Sequence, residues 1–344
     1  MTKLEPSALR AILQDGDEIA LIDVREQGEF GLCHLFYAVN TPLSRLEPEV
    51  IRLVPRRSTR IVMTAGGMNE LLGQAAVVLT GLGYSNLSVC ESDPEAWEAA
   101  GFTLYSGINV PSKAFGEAIE HHFATPSINA GTLHAMQARG DDLVVLDSRT
   151  YAEYHNMNIP GSICVPGGEL AYRIRDFVTN GDTTVVVNCA GRTRSIVGAQ
   201  SVINSGIPNR VVALENGTMG WHLAGLKLEH GRDDRYPAGD PETLQAAIAM
   251  RNYIARAYGV SYVDAATLEA WRGEDATRTL YLLDVRDPDE YAAGYLAGSR
   301  SAPGGQLVQA TDSHIGVPRG RIVLIDDNCI RATMTAHWLV QMGF

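Results

Sequence analysis

The residues best suited to chemistry in this chain are Cys189, Ala190, Gly191, Arg192, Thr193, Arg194 and Ser195, which form one continuous loop. Val185-Val186-Val187 just before it reads as a buried strand, and the apolar pattern resuming at Ile196 and Val197 reads as a helix. The loop therefore runs from a strand end into a helix N-terminus, where successive backbone N–H groups converge and favour negative charge. With Arg192 and Arg194 adjacent, a thiol in this place is biased toward thiolate and draws anions to itself. The spacing predicts Cys189 as a nucleophile that attacks without a separate general base, with Ala190 through Ser195 cradling an anionic substrate. Thr193 and Ser195 are expected to support the loop or cap the helix rather than react.

The elements that must position this loop occur three times. Leu21-Ile22-Asp23-Val24-Arg25 recurs as Val145-Leu146-Asp147-Ser148-Arg149 and as Leu282-Leu283-Asp284-Val285-Arg286. Each Asp-x-Arg strand is followed by an acidic and aromatic pair (Glu29-Phe30, Glu153-Tyr154, Glu290-Tyr291) and by a turn at Pro42, Pro166 or Pro303. A second apolar strand follows in each copy: Ile61-Val62-Met63, Val185-Val186-Val187 and Ile322-Val323-Leu324-Ile325. Strands alternating with helical segments predict an α/β fold of tandem units, each with a mainly parallel central sheet flanked by helices. Asp147 and Arg149 recur in every copy, so they are expected to hold the fold by a strand-end ion pair rather than to touch substrate. Trp97 and Trp221 read as packing residues.

The expected division is a first unit over residues 1–108, a helical linker over 109–124, a catalytic unit over 125–232, a second helical linker over 233–258, and a third unit over 259–344. At the cysteine position the first unit is read as Thr64 and the third as Asp326. Threonine has no accessible anion at neutral pH and a carboxylate would repel an anionic donor, so both outer units are expected to be inactive. The third unit also looks incomplete, since the chain reaches Gly343-Phe344 before the last strand and tryptophan turn of the other two.

Composition limits the alternatives. A length of 344 residues suits two or three domains, and the formal charge of −12 argues against nucleic acid or an anionic membrane surface as partner. The five cysteines are odd in number and form no C-x-x-C pair, so neither a disulfide framework nor a zinc site is indicated. Without an apolar leader or a run long enough to span a bilayer, the expectation is a cytoplasmic protein needing no metal or cofactor.

Together these features resemble the rhodanese family of sulfurtransferases: the Asp-x-Arg strand, the Glu-Tyr/Phe segment, the proline turn, the Cys189–Arg194 loop and the Gly/Trp turn ending at Trp221. The resemblance covers nearly the whole chain and is strongest from about Thr125 to His230. It implies a rhodanese-like fold in each unit and, in the middle one, thiosulfate sulfurtransferase activity. Cys189 would take a sulfane sulfur as a persulfide and pass it to cyanide or a thiol. Two loop arginines lean toward thiosulfate as donor, with 3-mercaptopyruvate and glutathione persulfide as alternatives. A Cys-x5-Arg phosphatase is the nearest rival chemistry, but here the arginine falls one position earlier and Ser195 takes its place. A non-catalytic docking protein would account for the outer units and leave the middle loop unexplained.

Overall fold

Runs of Val, Ile and Leu bounded by Gly, Pro and Asp make short strands that are buried on both faces, and parallel strands with helical crossovers follow. The computed structural model describes residues 1–237 and 239–344. The first repeat has a five-stranded sheet in the order Thr2–Lys3, Leu87–Cys90, Arg60–Thr64, Ile19–Asp23, Val39–Asn40. The second has the order Ser162–Cys164, Leu143–Asp147, Thr184–Asn188, Val211–Leu214, Ser127–Ile128, and the third has three strands, Arg300–Ser301, Leu280–Asp284 and Arg321–Ile325. Every pairing in these sheets is parallel. The α/β architecture is as the sequence predicts.

Strand register corrects one alignment. Asp147 lies opposite Asn188 and Asp284 opposite Ile325, so the residues entering those two loops are Cys189 and Asp326. Asp23 lies opposite Thr64, which makes Thr64 the counterpart of Asn188 and places Ala65 at the cysteine position of the first repeat. The loop then begins at the same distance from the Asp-x-Arg aspartate in all three repeats, at Ala65, Cys189 and Asp326. The replacement for cysteine in the first repeat is thus a methyl group, and Glu70 stands where the second repeat has Arg194.

The three repeats do not keep separate cores. One apolar cluster joins Ile22, Leu53 and Met63 of the first repeat to Tyr281, Leu283 and Leu307 of the third. Another joins Leu146, Val187 and Ile196 of the second to Val308 and Trp338 of the third. Both expected linkers are helices, Val110–Phe123 and Pro241–Tyr258. The first crosses the loop helix Thr193–Asn204 so closely that a Cβ on Gly116 would lie 2.7 Å from Thr193 Cγ2. The second packs through Ala247, Met250 and Ile254 against Ala171, Ile330 and Met334. Among the described residues no helix is long and apolar enough to cross a membrane.

Candidate active site

The strand Thr184–Asn188 is wholly buried and delivers Cys189 at its carboxyl end with 2% of its surface exposed. A chain of bonds fixes that end. Arg149 grips Asp147 through Nε and Nη2 at 2.9 and 2.7 Å, Asn188 Nδ2 donates to Asp147 Oδ2 at 2.9 Å, and Asn188 also donates to Thr218 Oγ1 at 3.0 Å. The same Asp-x-Arg pair closes in the other repeats through Asp23–Arg25 and Asp284–Arg286. Its recurrence where no cysteine follows fits a role in setting the strand end.

The helix Gly217–Leu223 turns the loop inside out. Thr218 donates its N–H to Cys189 O at 2.8 Å and Met219 its N–H to Ala190 O at 3.0 Å, so the loop carbonyls face that helix. Among the described residues no protein acceptor takes the N–H groups of Ala190, Gly191, Arg192, Thr193, Arg194 or Ser195. Ser195 Oγ donates to Arg192 O at 2.8 Å and so serves the loop, while the N-cap is Arg192, which makes no side-chain cap bond; Thr193 begins the helix and does not cap it. Gly217 sits at φ +52°, and a Cβ there would collide with the carbonyl of Cys189. Gly217→Ala is therefore expected to lose about 1–3 kcal/mol of stability and to displace the loop. A lowered urea midpoint together with a lower turnover per folded molecule checks this.

The two loop arginines have different surroundings. Arg192 is half exposed and is held by Glu117 and Glu120 of the linker helix. Arg194 is nearly buried, and its Nη1 and Nη2 each lie 2.7 Å from a carboxylate oxygen of Glu153. Burial works to raise the Glu153 carboxyl, but Arg194 and the Thr150 cap outweigh it and hold it down to about 2. Thr150 and Glu153 form a capping box at the helix Tyr151–Asn156, which is how a local Thr-x-x-Glu sequence aims a carboxylate at the loop. Glu153 was visible as a repeated residue, yet its partner lies far along the chain. Arg194 Nη1 also donates to Gln306 Oε1 at 3.3 Å, across the boundary with the third repeat.

The third repeat carries the same loop with a carboxylate in it. Asp326 accepts the N–H of Asp327 at 2.8 Å, the N–H of Arg331 at 2.8 Å and the Nε of Arg331 at 2.9 Å. Arg331 is the counterpart of Arg194 and likewise pairs with the capping-box glutamate of its own repeat, Glu290. In the second repeat Arg194 Nε, the counterpart of the atom Arg331 turns on Asp326, has no hydrogen-bond partner among the described residues.

Other cysteines differ from Cys189. Cys164 is buried beside Asp147, and burial first, then that carboxylate, push its thiol up to about 12. Cys329 precedes the helix Ile330–Gln341 at φ +59°, and burial with Asp326 raises its thiol too. Iodoacetamide near neutral pH is expected to spare both, and Cys329→Ala to retain the parent's activity; peptide mass spectrometry and an activity assay check the two statements. Among the described residues no group of three or more His, Cys, Asp or Glu is placed to hold a metal ion.

Comparison with known proteins follows the same lines. The family model of the rhodanese-like domain matches residues 5–100, 129–224 and 264–344. A crystal structure of thiosulfate sulfurtransferase from Pseudomonas aeruginosa is 47% identical with a TM-score of 0.96, covering 100% of this chain and 65% of that one. An HTH-type transcriptional regulator of Mycobacterium tuberculosis is 31% identical over 90 residues, 26% of this chain and 39% of the regulator. The chain thus spans a little under two thirds of the length of the Pseudomonas protein and a smaller share of the regulator.

Proposed function

The chain belongs to the rhodanese-like domain family, and from that premise we propose that it is a sulfurtransferase whose second repeat carries sulfur on Cys189. The observation that carries this reading is the pair of matched loops. In the third repeat the cradle is filled by a carboxylate that takes three backbone N–H groups, those of Asp327 and Arg331 at 2.8 Å among them, and an arginine Nε. In the second, the corresponding N–H groups of Ala190 and Arg194 surround a thiol that can accept sulfur. A loop built to hold negative charge beside a nucleophile suits a thiolate and, once sulfur is added, a persulfide anion. The likeness to the Pseudomonas thiosulfate sulfurtransferase supports thiosulfate as donor.

The reaction is a double displacement. Cys189 Sγ attacks the outer sulfur of thiosulfate, the S–S bond to the sulfonate breaks, and sulfite leaves with the bonding electron pair. The Cys189 persulfide then yields its terminal sulfur to cyanide as thiocyanate, or to a thiolate, and the Cys189 thiolate is regenerated. Arg194 Nε and the loop N–H groups from Ala190 to Ser195 hold the transferred sulfur and the charge that moves with it. Arg192, with Glu117 and Glu120 beside it, stands at the rim. The first and third repeats, with Ala65 and Asp326 at the cysteine position, transfer no sulfur. The boundaries that follow are units over 1–108, 125–232 and 259–344, joined by the two helical linkers. A reducing compartment such as the cytoplasm fits a protein whose working group is a free thiol.

Intact mass after thiosulfate treatment tests the proposal. One added sulfur is expected, located on Cys189 and removed by cyanide; a protein that gains none, or gains it elsewhere, refutes it.

A further inference from the structure

Equivalent residues of the second and third repeats meet reciprocally where the two repeats pack together. Gly167-Gly168 packs against Gly304-Gly305, with a Cβ on Gly167 reaching within 3.2 Å of Gly305 Cα and one on Gly305 within 2.9 Å of Gly167 Cα. Both glycine pairs follow the proline turns, Pro166 and Pro303, and no side chain fits between them. This close approach carries the next residue of each turn across the interface onto the other repeat's loop arginine. Glu169 of the second repeat meets Arg331 Nη1 at 2.7 Å, and its counterpart Gln306 meets Arg194 Nη1 at 3.3 Å.

The two crossings carry different charge. Around Arg331 stand the buried or half-buried carboxylates of Glu290, Glu169 and Asp326, with the exposed Asp327 at 3.6 Å. Around Arg194 stand one carboxylate, Glu153, one neutral amide, Gln306, and one thiol, Cys189. The working loop therefore differs from the filled loop at three equivalent places, Cys189 for Asp326, Ala190 for the exposed Asp327 and Gln306 for Glu169, and the last two each remove a carboxylate. The cysteine is needed for chemistry. The amide has no such explanation within its own repeat.

We propose that Gln306, contributed by the third repeat, is a positioning residue for the second: it braces Arg194 without neutralising it, so that an anionic sulfur donor is not repelled. This rests on the sulfurtransferase reading for the identity of the donor, but not for the electrostatics of the loop. An acidic residue at 306 would be the counterpart of Glu169 beside Arg331 and set a second carboxylate against Arg194, leaving less attraction for an incoming anion. The third repeat, without a nucleophile of its own, thereby supplies part of the active site.

The test compares alkylation of Cys189 by iodoacetate, an anion, with alkylation by iodoacetamide, its neutral analogue of similar size, followed by peptide mass spectrometry. Gln306→Glu is expected to lower the iodoacetate-to-iodoacetamide rate ratio by about tenfold, as one added charge in a partly buried site does. Gln306→Lys is expected to raise the ratio, and Gln306→Leu to leave it near the parent's. In sulfur transfer, Gln306→Glu should raise KM for thiosulfate more than it lowers kcat. A loss of packing alone would slow both reagents equally in all three variants, and that result, or a ratio within twofold of the parent in the Glu and Lys variants, overturns the proposal. If the ratio shifts as expected in a protein that transfers no sulfur, the charge role of Gln306 stands and the sulfurtransferase reading falls.

Discussion

Cys189→Ala is expected to lower sulfur transfer from thiosulfate to cyanide by at least about a thousandfold, because covalent catalysis has no substitute once its nucleophile is gone. The change should cost little stability. Cys189 is buried at a strand end, but its backbone carries the structural load: its carbonyl accepts from Thr218 N at 2.8 Å and from Thr218 Oγ1 at 3.1 Å. Those bonds survive in the alanine protein, so a normal denaturation midpoint together with absent turnover is the expected pair of measurements. Neither Cys164 nor Cys329 is placed to take over. Cys164 and Cys329 both have raised thiol pKa values, and neither opens a loop of unpaired N–H groups. Transfer at the parent's rate in the alanine protein would remove Cys189 from the mechanism and leave the loop as an anion-binding feature only.

The largest effect on stability is expected at the counterpart loop. Arg331 is 2% exposed and holds the carboxylates of Asp326, Glu169 and Glu290. Arg331→Met keeps much of the side-chain volume and removes the one cation that, among the described residues, is shared by the three, leaving buried Asp326 with backbone N–H donors alone and buried Glu169 with Arg173 alone. Stranding buried charges in this way typically costs about 3–5 kcal/mol. A lowered midpoint in urea is the measurement, with loss of the contact between the second and third repeats as its structural correlate.

The pH dependence of that deficit has a definite sign. Burial raises the Glu169 carboxyl, with Arg331 and then Arg173 drawing it back down. Without Arg331 the group rises further above its unfolded value, so the folded variant binds a proton that the unfolded chain releases. In the window between the unfolded and folded pKa values the native state then holds more protons, and stability increases as pH falls. The gap between variant and parent should accordingly narrow below neutrality. A gap that widens on acidification would show that Glu169 is not the group left uncompensated.

Much of the site was legible because it is locally encoded. The Asp-x-Arg pair closes over two residues, the Thr150–Glu153 capping box over three, and the strand-loop-helix order around Cys189 follows from β-branched and apolar spacing. Three copies of the same pattern strengthened each of these inferences, since features shared with the cysteine-free repeats could be assigned to the fold. Thr64 shows where pattern alone failed. Whether that residue ends a strand or begins a loop depends on the residue opposite it, and only its pairing with Asp23 places Ala65 at the cysteine position.

The repeated α/β units and the strand-loop-helix order around Cys189 were readable from the chain alone, because short-range hydrogen bonding and hydrophobic periodicity are written in neighbouring residues. Tertiary structure alone decided what the loop arginines do. Arg192 is drawn to the linker helix, and Arg194 is shared between Glu153 and a residue of the third repeat. Those partners lie far apart along the chain, and no periodicity relates them. They meet because paired glycines let two backbones approach where any larger side chain would keep them apart.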